Sequence, residues 1–130
     1  MAVHAEYLAY MLEQLASLGS LRTRRMFGAV GLYSGEFFFG LIDDDTLYFK
    51  TDASNSAEYI ARNMPRFMPM PKRPDAIKAY YQVPADVIED AELLVAWARK
   101  SVAVALASQA AKARPKARAQ EKTVRRGKRR

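Results

Sequence analysis

Few residues in this chain have the type and spacing that catalysis needs. The single histidine, His4, stands at the start of the first predicted helix, near the chain's beginning. A general base must be held within hydrogen-bond reach of the group it serves, and no nucleophile is fixed beside His4 by spacing. Cysteine is absent, which removes thiolate nucleophiles, thiolate metal sites and disulfides together. The acid triplet Asp43-Asp44-Asp45 lacks the alternate acids, the central glycine and the distal glutamate of a calcium loop, so it reads as a solvated hairpin turn. Four glycines fall at 28, 31, 35 and 40. They match neither a dinucleotide fingerprint nor a phosphate loop, and strand-like sequence follows where a helix would have to supply amide donors. The expectation is a protein that is not an enzyme and holds no cofactor and no metal.

Charge carries the stronger signal. The chain has a formal net charge of +7. Residues 1–108 hold 11 Lys+Arg and 13 Asp+Glu, net −2; residues 109–130 hold ten cations and one acid, Glu121, net +9. The cations are Lys112, Arg114, Lys116, Arg118, Lys122, Arg125, Arg126, Lys128, Arg129 and Arg130. This segment has one apolar residue larger than alanine, Val124, and reads as a disordered basic tail. Without aromatics it cannot stack on bases, and without a large apolar helix face it is no lipid anchor. Electrostatic contact with phosphates of DNA or RNA, weak and blind to sequence, is the expected use. A solubilising tail with no dedicated partner is the alternative.

The domain in front of the tail must form its core without staples. Half of the residues are apolar, and 130 residues suffice for one domain. No basic n-region precedes an apolar core at the start and no apolar run is long enough to span a bilayer. A cytoplasmic protein with no membrane contact is therefore expected. Val3, Tyr7, Leu8, Met11, Leu12, Leu15 and Leu18 recur at helical spacing, and Gly19 supplies a stop. From Thr23 the period falls to two, which predicts a meander of strands at 23–27, 29–34, 36–42 and 45–50, with turns at Ser34-Gly35 and at the acid triplet. Gly28, Gly31 and Gly40 read as kinks, bulges or gaps over which an aromatic lies. In the third strand Phe37, Phe39 and Leu41 are expected on one face and Phe38, Gly40 and Ile42 on the other.

A short helix capped by Ser54 or Ser56 and ended by Pro65 follows, then a proline-rich connector over 65–75, and a strand over 76–83. A turn leads to the last helix, N-capped by Asp90 and stopped by Pro115, with Leu94, Trp97, Ala98, Val102 and Ala105 on its buried face. One of Tyr80 and Tyr81 should be core and the other surface. Arg22 and Arg24 share one face of the first strand and Arg25 takes the other. At least one arginine should then lie under the helices, in a salt bridge with a helix carboxylate or as an anchor for a ligand.

The joint motif set Arg24-Arg25-Met26-Phe27-Gly28-x-x-Gly31-Leu32-Tyr33, Phe38-Phe39-Gly40-Leu41-Ile42-Asp43-Asp44-Asp45-Thr46-Leu47-Tyr48-Phe49-Lys50 and Tyr80-Tyr81-x-Val83-Pro84, with Trp97-Ala98 beyond, resembles the N-terminal domain of the TfoX (Sxy) family, named for regulators of natural competence in bacteria. The resemblance runs from about Tyr7 to about Leu106. Arg24, Met26, Phe27, Gly28, Gly31, Tyr33, Leu47, Tyr48, Lys50, Tyr81, Val83, Pro84 and Trp97 occupy the family's positions. It implies an α+β two-layer sandwich in which N-terminal and C-terminal helices pack an antiparallel β-sheet meander, in agreement with the pattern. It also implies a regulatory domain over 1–108 that acts on an as yet unidentified protein partner. The longer competence regulators carry a second, helical domain where this chain has the basic segment 109–130. The competing expectation is a small-ligand-binding or enzymatic domain with a pocket between sheet and helices near Arg24, Tyr48 and Lys50.

Overall fold

Apolar side chains at three-and-four spacing set the first element. In the computed structural model, which describes residues 3–26, 28–67 and 79–128 (the side chains of 112–128 excepted), helix α1 spans Ala5–Gln14. Met11 and Leu15 are fully buried, and half-buried Tyr7, Leu8 and Leu12 pack beside them. A 3₁₀ turn, Ala16–Leu18, follows. Gly19, at φ +93°, then turns the chain into the sheet.

Five strands form that sheet: β1 Leu21–Met26, β2 Ala29–Ser34, β3 Phe37–Asp43, β4 Thr46–Lys50 and β5 Tyr80–Gln82. They pair antiparallel in chain order, β1-β2-β3-β4-β5. Two-residue loops explain the meander. Gly35 starts one at φ +61°, while Asp44 and Asp45, at φ +53° and +52°, hold the two left-handed positions of a type I′ hairpin turn that aspartate tolerates. Gly28 also sits at positive φ between β1 and β2, so it is a turn residue, where a kink, bulge or gap is expected.

The facing expected for β3 is corrected by a β-bulge. Leu32 pairs with Gly40 but Tyr33 with Phe38, so Phe39 is an extra residue in the ladder. The bulge puts Phe39 and Ile42 into the main core and sends Phe38 and Leu41 to the opposite face. Strict alternation fails because one residue has no partner.

The main core lies between one sheet face and helices α1 and α4 (Ala91–Lys128). Phe39, Phe49, Leu32, Leu47, Val30 and Ile42 meet Leu94, Trp97 and Ala98 there. Helix α2, Ser56–Ala61, contributes Tyr59, which packs edge-on against Trp97 at 4.8 Å between ring centroids. The N-cap of α2 is Asn55 rather than Ser54 or Ser56. Its side chain is committed to the preceding loop, accepting from the Asp52 N–H at 2.9 Å and donating to the Lys50 carbonyl at 3.2 Å. Helix α3, Ala85–Ile88, occupies what the sequence predicts as a plain turn.

Helix α4 runs Ala91–Lys128. Asp90 caps it as expected, its Oδ1 accepting the Leu93 N–H at 3.2 Å. The helical backbone passes through Pro115, where the sequence predicts a stop, to Lys128. Proline removes one backbone donor and costs about 3 kcal/mol, but alanine, lysine, arginine and glutamine around it are strong helix formers. Among the described side chains of α4, the last buried one is Ala105.

Two further expectations change. Tyr80 and Tyr81 are both buried, 7% and 9% exposed, on opposite faces: Tyr81 in the main core, Tyr80 in a second cluster with Leu41 and Phe67. No arginine of β1 lies under the helices. Arg22, Arg24 and Arg25 are all exposed, because β1 is the sheet edge and α4 packs on β3 and β4.

Candidate interaction site

The sheet face away from α1 and α4 gathers six of the thirteen motif residues, Arg24, Met26, Gly31, Tyr33, Tyr48 and Lys50. Register places Arg22, Arg24 and Met26 of β1, Gly31 and Tyr33 of β2, Phe38 and Leu41 of β3, Tyr48 and Lys50 of β4, and Tyr80 of β5 on it. Aromatic rings run across these strands in tilted contacts: Tyr33–Phe38 at 5.2 Å, Phe38–Tyr80 at 5.8 Å and Tyr48–Phe67 at 4.7 Å between centroids. Cations flank them. The Arg22 guanidinium lies over Tyr33 at 5.0 Å and the Lys50 ammonium over Tyr80 at 5.2 Å. Burial pushes the Tyr48 hydroxyl pKa up, helped by the negative charges of Asp43 and Asp44, and burial alone does most of the same for Tyr80. Both phenols are therefore neutral donors throughout the physiological range.

Glycine lets side chains pack over bare strand backbone, Gly31 on this face and Gly40 on the core face. A Cβ on Gly31 would lie 2.7 Å from Met26 Cε and 2.9 Å from Phe38 Cε1, so both side chains fold over bare backbone. A Cβ on Gly40 would lie 2.6 Å from the Tyr48 carbonyl oxygen and 2.9 Å from the Phe49 ring. The reading of these two glycines as gaps beneath aromatics holds.

The two ends of the sheet differ. The outer edge of β5 is occupied: Phe67 donates its N–H to the Tyr80 carbonyl at 2.8 Å, and Gln82 donates to the Pro65 carbonyl at 2.9 Å. At β1 no such strip is found among the described residues. Arg22 donates from Nε to the Gly35 carbonyl at 2.8 Å, whereas Arg24 and Arg25 make no hydrogen bond or ion pair there.

Other motif residues are structural. Trp97 and Tyr81 pack on Tyr59, and Pro84 is the N-cap of α3. Arg62, which sequence reasoning missed, lies over the Trp97 ring at 5.4 Å and grips both carboxylate oxygens of Asp86, at 2.6 and 2.8 Å. That arginine holds the exposed Asp86 carboxyl below the usual carboxylate range. Lys100 pairs with Glu58 at 3.1 Å. Separation in sequence hid these pairs. Phe27 lies outside the described residues, as do the side chains of the ten basic residues named in the terminal segment.

Arg24, Tyr48 and Lys50 do not come together between sheet and helices. Arg24 lies on β1 and Tyr48 and Lys50 on β4, three strands or about 14 Å apart, and all face away from α1 and α4. A shallow open cleft of about 310 Å³ lies instead beside β5, lined by Thr51, Asp52, Ser56, Arg66, Ala79 and Tyr81. Its Thr51 hydroxyl is spent on the Ala79 carbonyl at 2.7 Å, and Asp52 Oδ1 on the N–H and hydroxyl of Ser54. Among the described residues no group of three or more histidines, cysteines or acids is placed to hold a metal. No described helix is long and apolar enough to cross a membrane.

No curated protein matches this chain. The model of the TfoX N-terminal domain matches residues 13–105 of the 130. Five antiparallel strands with helices on one face, glycines under the Met26, Phe38 and Phe49 side chains, and Trp97 in the core accompany that match. The chain belongs to the TfoX N-terminal domain family.

Proposed function

We propose that this protein is a cytoplasmic, non-enzymatic regulatory module: residues 1–108 engage a protein partner and the cations of 109–130 hold the module loosely on nucleic acid. The observation that carries this reading is the division of charge, −2 in the domain against +9 in the last 22 residues. A net-negative domain is repelled by phosphate, so attraction must come from the terminal segment. The half-open aromatic and cationic sheet face supports the domain's role as an interaction surface. Family membership supports transcriptional regulation of competence as the process served.

Titration of unrelated DNA and RNA duplexes at several salt concentrations tests the reading. With about 6 to 8 cations engaged, log K should fall against log salt with a slope of roughly −5 to −7, with little sequence preference. A shallow slope or strong preference for one duplex counts against it. A pull-down with and without nuclease separates protein-borne from nucleic-acid-borne partners.

A further inference from the structure

Strand edges are where a sheet can bind another chain, because alternate residues of an edge strand point both N–H and C=O outward. The sheet has two edges, and they are treated oppositely. The β5 edge is three residues long and is occupied by the Pro65–Phe67 strip. The β1 edge is six residues long, Leu21–Met26, with Arg22, Thr23, Arg24 and Arg25 all exposed. Among the described residues no backbone hydrogen bond reaches β1 from any strand but β2.

Charge selects what that edge accepts. β1 has three arginines, and neither β1 nor its neighbour β2 has an acid. Arg22 is engaged with Gly35 and Tyr33, whereas Arg24 and Arg25 have no ionic partner among the described residues. Arg24 lies on the aromatic face, opposite Gly31, and Arg25 on the other, opposite Val30. Antiparallel pairing of two copies keeps the same face up, so centring on Thr23 would set Arg22 against Arg24 and centring on Arg24 would set that residue against itself, like charge on like charge. A second copy is therefore a poor occupant. An extended acidic segment satisfies both the unpaired backbone and the arginines on the two faces.

We infer, resting on the reading of residues 1–108 as an interaction domain, that β1 adds an antiparallel strand from a partner protein whose extended segment is acidic. Main-chain pairing supplies the affinity, and Arg24 and Arg25 supply the choice of partner. The mode differs from the phosphate contacts of the basic segment, which need no backbone partner.

The test uses the full chain and a capped, fluorescent peptide of about eight residues in which pairs of adjacent glutamates alternate with pairs of valines, so that both faces of the added strand carry acids and success or failure is independent of DNA titrations and lysates. Saturable binding with a dissociation constant of about 10 to 100 μM is expected, with amide shifts centred on residues 21–26. The Arg24→Glu/Arg25→Glu protein should bind at least about tenfold more weakly at an unchanged melting temperature, since both side chains are exposed. N-methylating alternate peptide amides removes the outward donors and should abolish binding. No binding at about 1 mM, or equal binding of the N-methylated peptide, overturns the inference. So does tighter binding of a short single-stranded oligonucleotide at the same residues, which would assign the arginines to phosphate.

Discussion

Asp45 ties the β3–β4 hairpin to the start of helix α1, 41 residues away in sequence, by clasping His4. Its Oδ1 accepts the His4 backbone N–H at 2.8 Å and its Oδ2 pairs with the imidazole Nδ1. His4 is the N-cap of α1, so the carboxylate sits where the helix N-terminus favours negative charge. The backbone hydrogen bond from His4, more than the side-chain one, lowers the Asp45 pKa against a small opposing effect of burial. A group whose pKa is lower in the folded protein contributes stability above its unfolded value of about 3.9 and loses that contribution as pH falls through the folded value. The Asp45→Asn protein should melt lower than the parent at pH 7, and the gap should close as pH falls below about 4. Melts across that window check it. A gap that persists undiminished at the acid end would show that the contact is not electrostatic.

Gly31 and Gly40 should respond differently to alanine. At Gly31 the nearest atom is the terminal methyl of Met26, the far end of a flexible side chain. At Gly40 it is a backbone oxygen, that of Tyr48, held in the β3–β4 ladder. Overpacking costs about 1–3 kcal/mol, so Gly40→Ala should fall at the upper end and Gly31→Ala at the lower. Denaturant unfolding of both proteins measures the order. Equal costs would mean that the ladder yields as readily as a methionine.

Tyr59 carries the one buried side-chain polar atom that finds no hydrogen-bond partner among the described residues, its hydroxyl. Burial drives its pKa far up. Ser101 lies close enough to oppose that rise, but its hydroxyl donates to the Lys50 carbonyl at 2.8 Å and forms no hydrogen bond of ordinary geometry with Tyr59. Removing a buried, unpaired hydroxyl while keeping the ring relieves a desolvation cost. Tyr59→Phe should therefore unfold at the same denaturant concentration or higher. A loss above about 1 kcal/mol would reveal a hydrogen bond formed in solution.

The legibility of this fold follows the range over which each cause acts. Period-two alternation and the turn residues at Gly35 and Asp44-Asp45 are local, and they located every strand of the meander to within about two residues. Helix spacing likewise placed Leu94, Trp97 and Ala98 in the core. The bulge at Phe39 depends on what β2 offers opposite it, which no window within β3 contains. Arg25 escaped the expected helix partner because coverage by α4 stops short of β1, a property of the assembled layers. His4–Asp45 and Arg62–Asp86 join residues 41 and 24 positions apart and leave no local signature. The open β1 edge was legible only as an arginine cluster. Its meaning as an edge appeared once strand order was known.

The last expectation separates the domain from its basic segment. Val104 and Ala105 are buried, 4% and 6% exposed, but Leu106 is 53% exposed and Ala107 is exposed too. Truncation after Ser108 should then change stability by no more than about 0.5 kcal/mol in either direction, because no buried side chain of the described core is removed. Far-UV helicity should fall by the contribution of residues 109–128, which belong to α4. Affinity for duplex DNA should drop to background, since the remaining domain is net −2. Trp97→Ala should do the reverse. It empties a site 5% exposed and packed against Tyr59, at a cost of about 3–5 kcal/mol, while the folded fraction keeps the terminal cations and hence the salt-dependent binding. Thermal melts and DNA titrations on the two proteins form one paired experiment. Loss of several kcal/mol on truncation would mean that residues 109–130 pack against the domain, and retained DNA binding would move the phosphate contacts onto the domain itself.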